Sequence, residues 1–186
     1  MSTTYCSTIA KHYESKWSTP MISVPFTRGP IEDLPQGFGV LAFPPRGERT
    51  MWKYATRCMS TPDDVAAIEL HMFAAERDDD SIAELLVACA HYHRTGRTLN
   101  LGHTVNFGRP WFKGSTCGHG LISLPYLDGP SLEWLNVDGK QIHFLWLVPV
   151  TDAEVVFVRE HGVDRLEQQF EESQFNYLDP LRRSVV

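Results

Sequence analysis

The sequence predicts an α+β fold, a mixed and largely antiparallel sheet flanked by helices, in a single domain. Three observations predict it. Runs of β-forming residues bounded by turn signals recur at 38–43, 50–59 and 66–75. Apolar residues at helical spacing follow at 82–92 and again beyond residue 151. The longest apolar run, Ile142 to Val150, opens after an Asp138-Gly139 turn signal and leads straight into a helix start. That run is too short to span a membrane and has the length of a buried strand. Pro149 is expected to end it. Thr151-Asp152-Ala153-Glu154 then reads as a capping box, in which the Thr151 hydroxyl accepts from the Glu154 amide and the Glu154 carboxylate accepts from the Thr151 amide.

With 186 residues the chain is long enough to bury a core without disulfides or metal. Its formal net charge of −6 argues against a nucleic-acid binder, which needs clustered Lys and Arg. It permits an acidic surface that attracts a basic partner. No run is apolar enough for a membrane span, and no signal peptide is recognised. A reducing cytoplasm is therefore the expected location. Of Cys6, Cys58, Cys89 and Cys117, none are in CxxC spacing, and Cys58 and Cys89 are expected to pack as small hydrophobes.

In order along the chain, Ile9, Tyr13 and Trp17 share one face of a helix expected over 1–17. Pro20, Pro25, Pro30 and Pro35 make 18–36 an extended connector, so residues 1–36 form an N-terminal appendage packed on the body that occupies 37–186. Residues 38–43, 50–59 and 66–75 form an antiparallel three-strand meander. Alternation places Ile68, Leu70 and Met72 inward, with Lys53, Arg57, Glu69, His71 and Phe73 on a solvent-facing side. Tyr54 lies between the apolar neighbours Trp52 and Thr56, which fits a core position as an alternative to a surface one. Asp78-Asp79-Asp80-Ser81 caps the next helix, which carries His91, His93 and Arg94 in its last turn and stops at Gly96. Residues 97–120, rich in glycine, read as a long irregular loop pinned by Trp111 and Phe112. Strands are expected at 121–124 and over 132–137. Gly162 separates the helix that starts at Thr151 from a last helix over 163–173.

Catalytic chemistry has one candidate group. His103, Cys117, His119 and His143 are of the residue types that ligate zinc or form a thiol–imidazole pair, and would serve a metal-dependent or thiol hydrolase if they converged. Their spacing matches no zinc pattern, no acid that would orient the histidine is identifiable, and neither GxGxxG after a strand nor GxxxxGK[ST] is present. No cofactor is expected.

The order of segments in the C-terminal half carries a resemblance. Leu101-Gly102-His103-Thr104-Val105-Asn106-Phe107-Gly108-Arg109-Pro110, the 115–124 segment, the run from Ile142 to Glu154, His161-Gly162, Tyr177-Leu178-Asp179-Pro180 and Arg183-Ser184-Val185-Val186 together resemble the suppressor of fused domain family in its bacterial, single-domain form. Gly37 to Phe43 and Trp52-Lys53-Tyr54 fit it less closely. The resemblance implies an α+β domain without catalytic activity. The animal member of the family clasps an extended peptide by adding it to sheet edges, and Tyr54 occupies a family position in that peptide-binding region. Bacterial members resemble immunity proteins that bind and neutralise a toxin. The resemblance therefore implies a polypeptide partner, a toxin domain, with no nucleic acid and no membrane. The surface expected to meet it comprises Tyr54, Arg57, Glu69, His71 and Phe73 on the meander, with His103, Arg109 and His119 in the 102–120 loop.

Overall fold

The longest strand of the sheet, Lys140–Val150, joins its two halves. A computed structural model describes residues 3–27 and 29–186, and the first two positions of the expected N-terminal helix and position 28 of the connector lie outside them. The elements run α1 (Thr3–Trp17), β1 (Ile22–Val24), β2 (Gly39–Phe43), β3 (Trp52–Arg57), β4 (Ile68–Ala74), α2 (Asp79–Thr95), β5 (Thr104–Asn106), β6 (His119–Ser123), α3 (Pro130–Glu133), β7 (Trp134–Val137), β8 (Lys140–Val150), α4 (Asp152–His161) and α5 (Val163–Ser173). Strand order is β1-β2-β3-β4-β8-β6-β5, with β7 also on β8. Neighbours are antiparallel except β4 and β8, which run parallel. The expected α+β class and mixed sheet are therefore present.

β8 changes partners along its length. His143 pairs with Ile68 on one side and Trp134 on the other. Trp146 pairs with His71 and Ser123. β6 and β7 thus share the edge of β8 that faces away from β4. β4 pairs with β8 only over 68–71, so the ladder between them stops short of their C-terminal ends. Pro149 does not end the strand, because Gly120 lies opposite it in register. Ile122 N–H donates to His103 O, so even-numbered residues of β6 bond toward β5, and Pro149 directs its main chain away from β6. No ladder hydrogen bond is lost there.

Alternation splits the sheet's side chains between two cores. Leu41, Phe43, Phe73, Phe144, Trp146 and Val148 face α1 and α5, whose Ile9, Tyr13, Trp17, Leu166 and Phe170 cover them. Val40, Ala42, Leu70, Met72, Leu145 and Leu147 face α2, whose Ile82, Leu85, Leu86 and Cys89 cover them, with Trp111 alongside. No described helix is long and apolar enough to cross a membrane.

Both faces being covered overturns the expected solvent-facing side of the meander. Lys53, Glu69 and His71 are fully buried and Phe73 nearly so. Burial of Glu69 is compensated: it accepts from Thr56 Oγ1 (2.6 Å), Ser60 Oγ (2.7 Å), Ser60 N (3.0 Å) and Met59 N (3.2 Å). The expectation for Cys58 is corrected as well. It forms a disulfide with Cys6, which ties α1 to the end of β3.

The capping box forms as expected: Glu154 N–H donates to Thr151 Oγ1 (3.2 Å) and Thr151 N–H to Glu154 Oε2 (2.8 Å). Asp78 caps α2 by accepting from Ser81 N–H at 3.1 Å. The strand expected over 132–137 starts later, at Trp134, because Pro130 opens a short helix that buries Leu132. Within the 97–120 loop, Thr104–Asn106 is recruited into the sheet by pairing with His119–Leu121.

Candidate partner-binding site

The residues expected to form a partner surface do not lie on one surface. Tyr54 is buried, and its hydroxyl donates to Asp79 Oδ1 (2.9 Å) while accepting from Asp78 N–H (2.9 Å). Burial and the Asp79 hydrogen bond push its phenol upward in pKa. Tyr54 therefore fixes the start of α2. Glu69, His71 and Phe73 lie beneath α1. Neither ring nitrogen of His71 has a hydrogen-bond partner. Desolvation, helped by the positive Arg49, lowers its pKa to about 3, so it is neutral in the folded protein. Arg57 is half-buried at the end of β3, where its Nε donates to Gly37 O (3.3 Å).

The loop residues also disperse. His103 is exposed just before β5. Arg109 pairs with Glu84 of α2 at 3.0 Å. His119, in β6, brings Nδ1 to 3.1 Å from Asp152 Oδ1 but without hydrogen-bond alignment. His143 stacks on Trp134 at 3.9 Å and contacts Glu133 at 3.2 Å. It sits seven residues along β8 from Val150, the partner of His119, a separation of about 23 Å at strand rise. Cys117 is buried, and desolvation raises its thiol pKa. The four therefore do not converge. No group of three or more His, Cys, Asp or Glu among the described residues could hold a metal ion.

What the fold does assemble is a sheet edge. β5 is the terminal strand, bonded on one side to β6. Ile122 N–H donates to His103 O (2.9 Å) and Phe107 N–H to Gly118 O (2.9 Å), which flank the β5–β6 ladder. Antiparallel alternation then turns the main-chain groups of Thr104 and Asn106 to the open side. Gly120 leaves room for side chains on the face of the sheet: a Cβ there would stand 2.5 Å from Leu147 Cδ1 and 2.7 Å from Phe107 Cζ. Exposed Leu101 and His103 lead into the edge.

Beyond Phe107 the chain continues to Trp111 and Phe112, which form one wall of a cavity of about 310 Å³. Its other walls are the Ala74–Asp78 turn at the end of β4, Ile82, and Leu178 and Pro180 of the C-terminal segment. Arg77 borders it, held by Asp79 (Nη2 to Oδ2, 2.6 Å) and lying 5.1 Å from the Trp52 ring. The edge and the cavity are the site features that the alternation pattern does not reveal. The glycines of 102–120 and the pair Trp111-Phe112 are the sequence signals that accompany them.

The family model for suppressor of fused protein (SUFU) matches residues 35–183. The chain belongs to the suppressor of fused family. A crystal structure of a protein from Neisseria gonorrhoeae FA 1090, assigned as a SUFU homolog, superposes with a TM-score of 0.84 at 32% identity, covering 100% of this chain and 98% of that one. The Sufu–Fu complex matches with a TM-score of 0.68 at 16% identity, over 97% of this chain and 92% of that one. Drosophila Suppressor of Fused matches with a TM-score of 0.66 at 16% identity, over 95% of this chain. This chain spans about half of the Drosophila protein, 50% of its length. A search of curated proteins gives no significant match. The SUFU fold is thus shared along the whole chain, and one SUFU-fold relative was solved in a complex with Fu.

Proposed function

We propose that this chain is a non-enzymatic binding protein that captures an extended segment of a partner polypeptide by strand addition at β5. The observation that carries the reading is the terminal position of β5 with Thr104 and Asn106 turned outward. Unpaired main-chain donors and acceptors on an edge supply affinity, and neighbouring side chains supply selectivity. Exposed Leu101 and His103 flank the edge, and Arg109 stands beyond it. The relative from Neisseria gonorrhoeae, matched over 98% of its own length, supports a single-domain form of the family. The partner proposed is a toxin domain that the chain neutralises as an immunity protein, and the net charge of −6 favours a basic one.

Thr104→Pro tests the mode of binding, since it removes an outward N–H at an edge where proline is tolerated. Capture of the polypeptide encoded beside this chain is expected to fall about 2- to 10-fold, with melting unchanged, for the loss of one hydrogen bond. Co-expression tests the role: growth arrested by that polypeptide is expected to recover with the wild-type chain and not with the variant. Absence of any complex, together with absence of rescue, rules the reading out.

A further inference from the structure

A second cavity, of about 360 Å³, opens between α5, residues 175–177 and β8. It shares no lining residue with the cavity beside Trp111, although Tyr177 of its wall precedes Leu178 of the other. Its Trp146, Val148 and Phe170 belong to the core under α1 and α5, whereas Ile82 and Trp111 belong to the core under α2. Five aromatic residues line it: Tyr126, Trp146, Phe170, Phe175 and Tyr177. Trp146 and Tyr177 meet edge to face at 5.4 Å, and Phe170 and Phe175 stack at 4.1 Å.

The charged side chains in its wall are both acidic, Glu167 and Glu171. Glu167 is held by Ser123 Oγ (2.6 Å) and the Tyr126 hydroxyl (2.8 Å), two neutral donors that leave its charge uncompensated. The Glu171 carboxylate is exposed, and no described side chain pairs with it. The neighbouring cations are already matched, Arg49 by Asp128 and Arg182 by Glu154. Arg182 does not line the cavity, yet its guanidinium lies 5.6 and 5.3 Å from the Phe170 and Phe175 rings, which therefore already accept a cation.

We propose that this cavity receives a lysine side chain of a polypeptide ligand. The ammonium sits against Glu171 and Glu167, and the methylenes lie along the aromatic wall. An anion is repelled by the two carboxylates, and a purely apolar group gives them no counter-charge. A cation over aromatic rings gains from the ring quadrupole as well. The three N–H donors of an ammonium can reach both carboxylates, which the planar fork of arginine, matched to one carboxylate, does less well.

The test titrates the full chain with a short lysine-containing peptide and with the same peptide carrying norleucine or arginine, following the Trp146 indole N–H resonance. The lysine peptide is expected to shift that resonance saturably, and the norleucine peptide to bind at least about tenfold more weakly. Glu171→Gln is expected to weaken the lysine peptide about 2- to 5-fold with no change in melting temperature, the range of an exposed ion pair. Equal binding of norleucine, tighter binding of arginine, an unshifted indole at millimolar peptide, or indifference to Glu171→Gln overturns the proposal. Glu171→Gln leaves the β5 edge intact, and Thr104→Pro leaves this cavity intact, so the two readings fail separately.

Discussion

Arg182 and Glu154 form a doubly hydrogen-bonded ion pair inside the protein, Nη1 to Oε1 at 2.7 Å and Nη2 to Oε2 at 2.8 Å. Glu154 is also the carboxylate of the α4 capping box, and it accepts from Val185 N–H at 3.1 Å. Arg182 donates further to Pro149 O at 2.8 Å. One carboxylate thus serves the end of β8, the start of α4 and the C-terminal segment.

Removing one partner leaves the other charge buried. Arg182→Ala is expected to cost about 3–5 kcal/mol, whereas Glu154→Leu with Arg182→Met together cost less than the sum of the single changes. Urea unfolding of the two single variants and the double variant measures the coupling. Equal stability of wild type and Arg182→Ala contradicts the assignment.

His71 makes stability depend on pH. Its folded pKa, about 3, lies below the ordinary value of 6.5, so its neutral form is the native one. Its contribution is fully present above pH 6.5 and is lost as pH falls toward the folded value. Glu69 and Asp128 act in the opposite sense, because burial raises both, and their contribution is lost as pH rises. Burial also lowers Lys53. His71→Phe isolates the histidine: the variant is expected to gain on wild type progressively as pH drops from 6.5 to about 4, by up to one proton's linkage. A pH-independent difference between the two proteins refutes this account.

The Cys6–Cys58 bond closes a separation of 52 residues, which restricts the unfolded chain by about 4 kcal/mol at that loop length. Cys6→Ser under oxidising conditions is expected to lose about that much, and wild type with reductant is expected to match it. Thermal unfolding with and without reductant checks both. Melting of wild type that ignores reductant indicates that the bond contributes nothing.

Gly120→Ala places a methyl group against Leu147 and Phe107 in the β5–β6 hairpin. Its cost is expected to be about 1–3 kcal/mol, by overpacking. Faster amide exchange is expected at Val105, whose main chain bonds to this part of β6. Hydrogen exchange resolved by residue would detect it, and unchanged protection there disproves the close approach.

Local features were legible in the sequence, and distant ones were not. The capping box at Thr151–Glu154 and the Asp78 cap need only neighbouring residues, and both formed as read. The meander followed from β-forming residues and turn signals. The orientation of Glu69, His71 and Phe73 did not follow, because the layer that buries them is α1, more than fifty residues earlier in the chain. An alternating strand with polar residues looks half-solvated unless the partners of Glu69, namely Thr56, Met59 and Ser60, are known. The pairing of Cys6 with Cys58 carries no spacing signal. For the candidate site, the 102–120 segment was recognisable by its glycines and aromatics. The direction of its main-chain groups depends on its register with β6, which only the folded sheet defines.

The pairing of β4 with β8 also bears on how the chain is made. β1 to β4 emerge from the ribosome first, and the inner edge of β4 must wait for β8, the last strand synthesised. Until then a nascent half-sheet presents an apolar strand with an open edge, Ile68 to Ala74, to every other nascent chain nearby. β8 therefore acts as a late keystone. Truncation before residue 140 is expected to yield aggregates rather than a smaller folded protein.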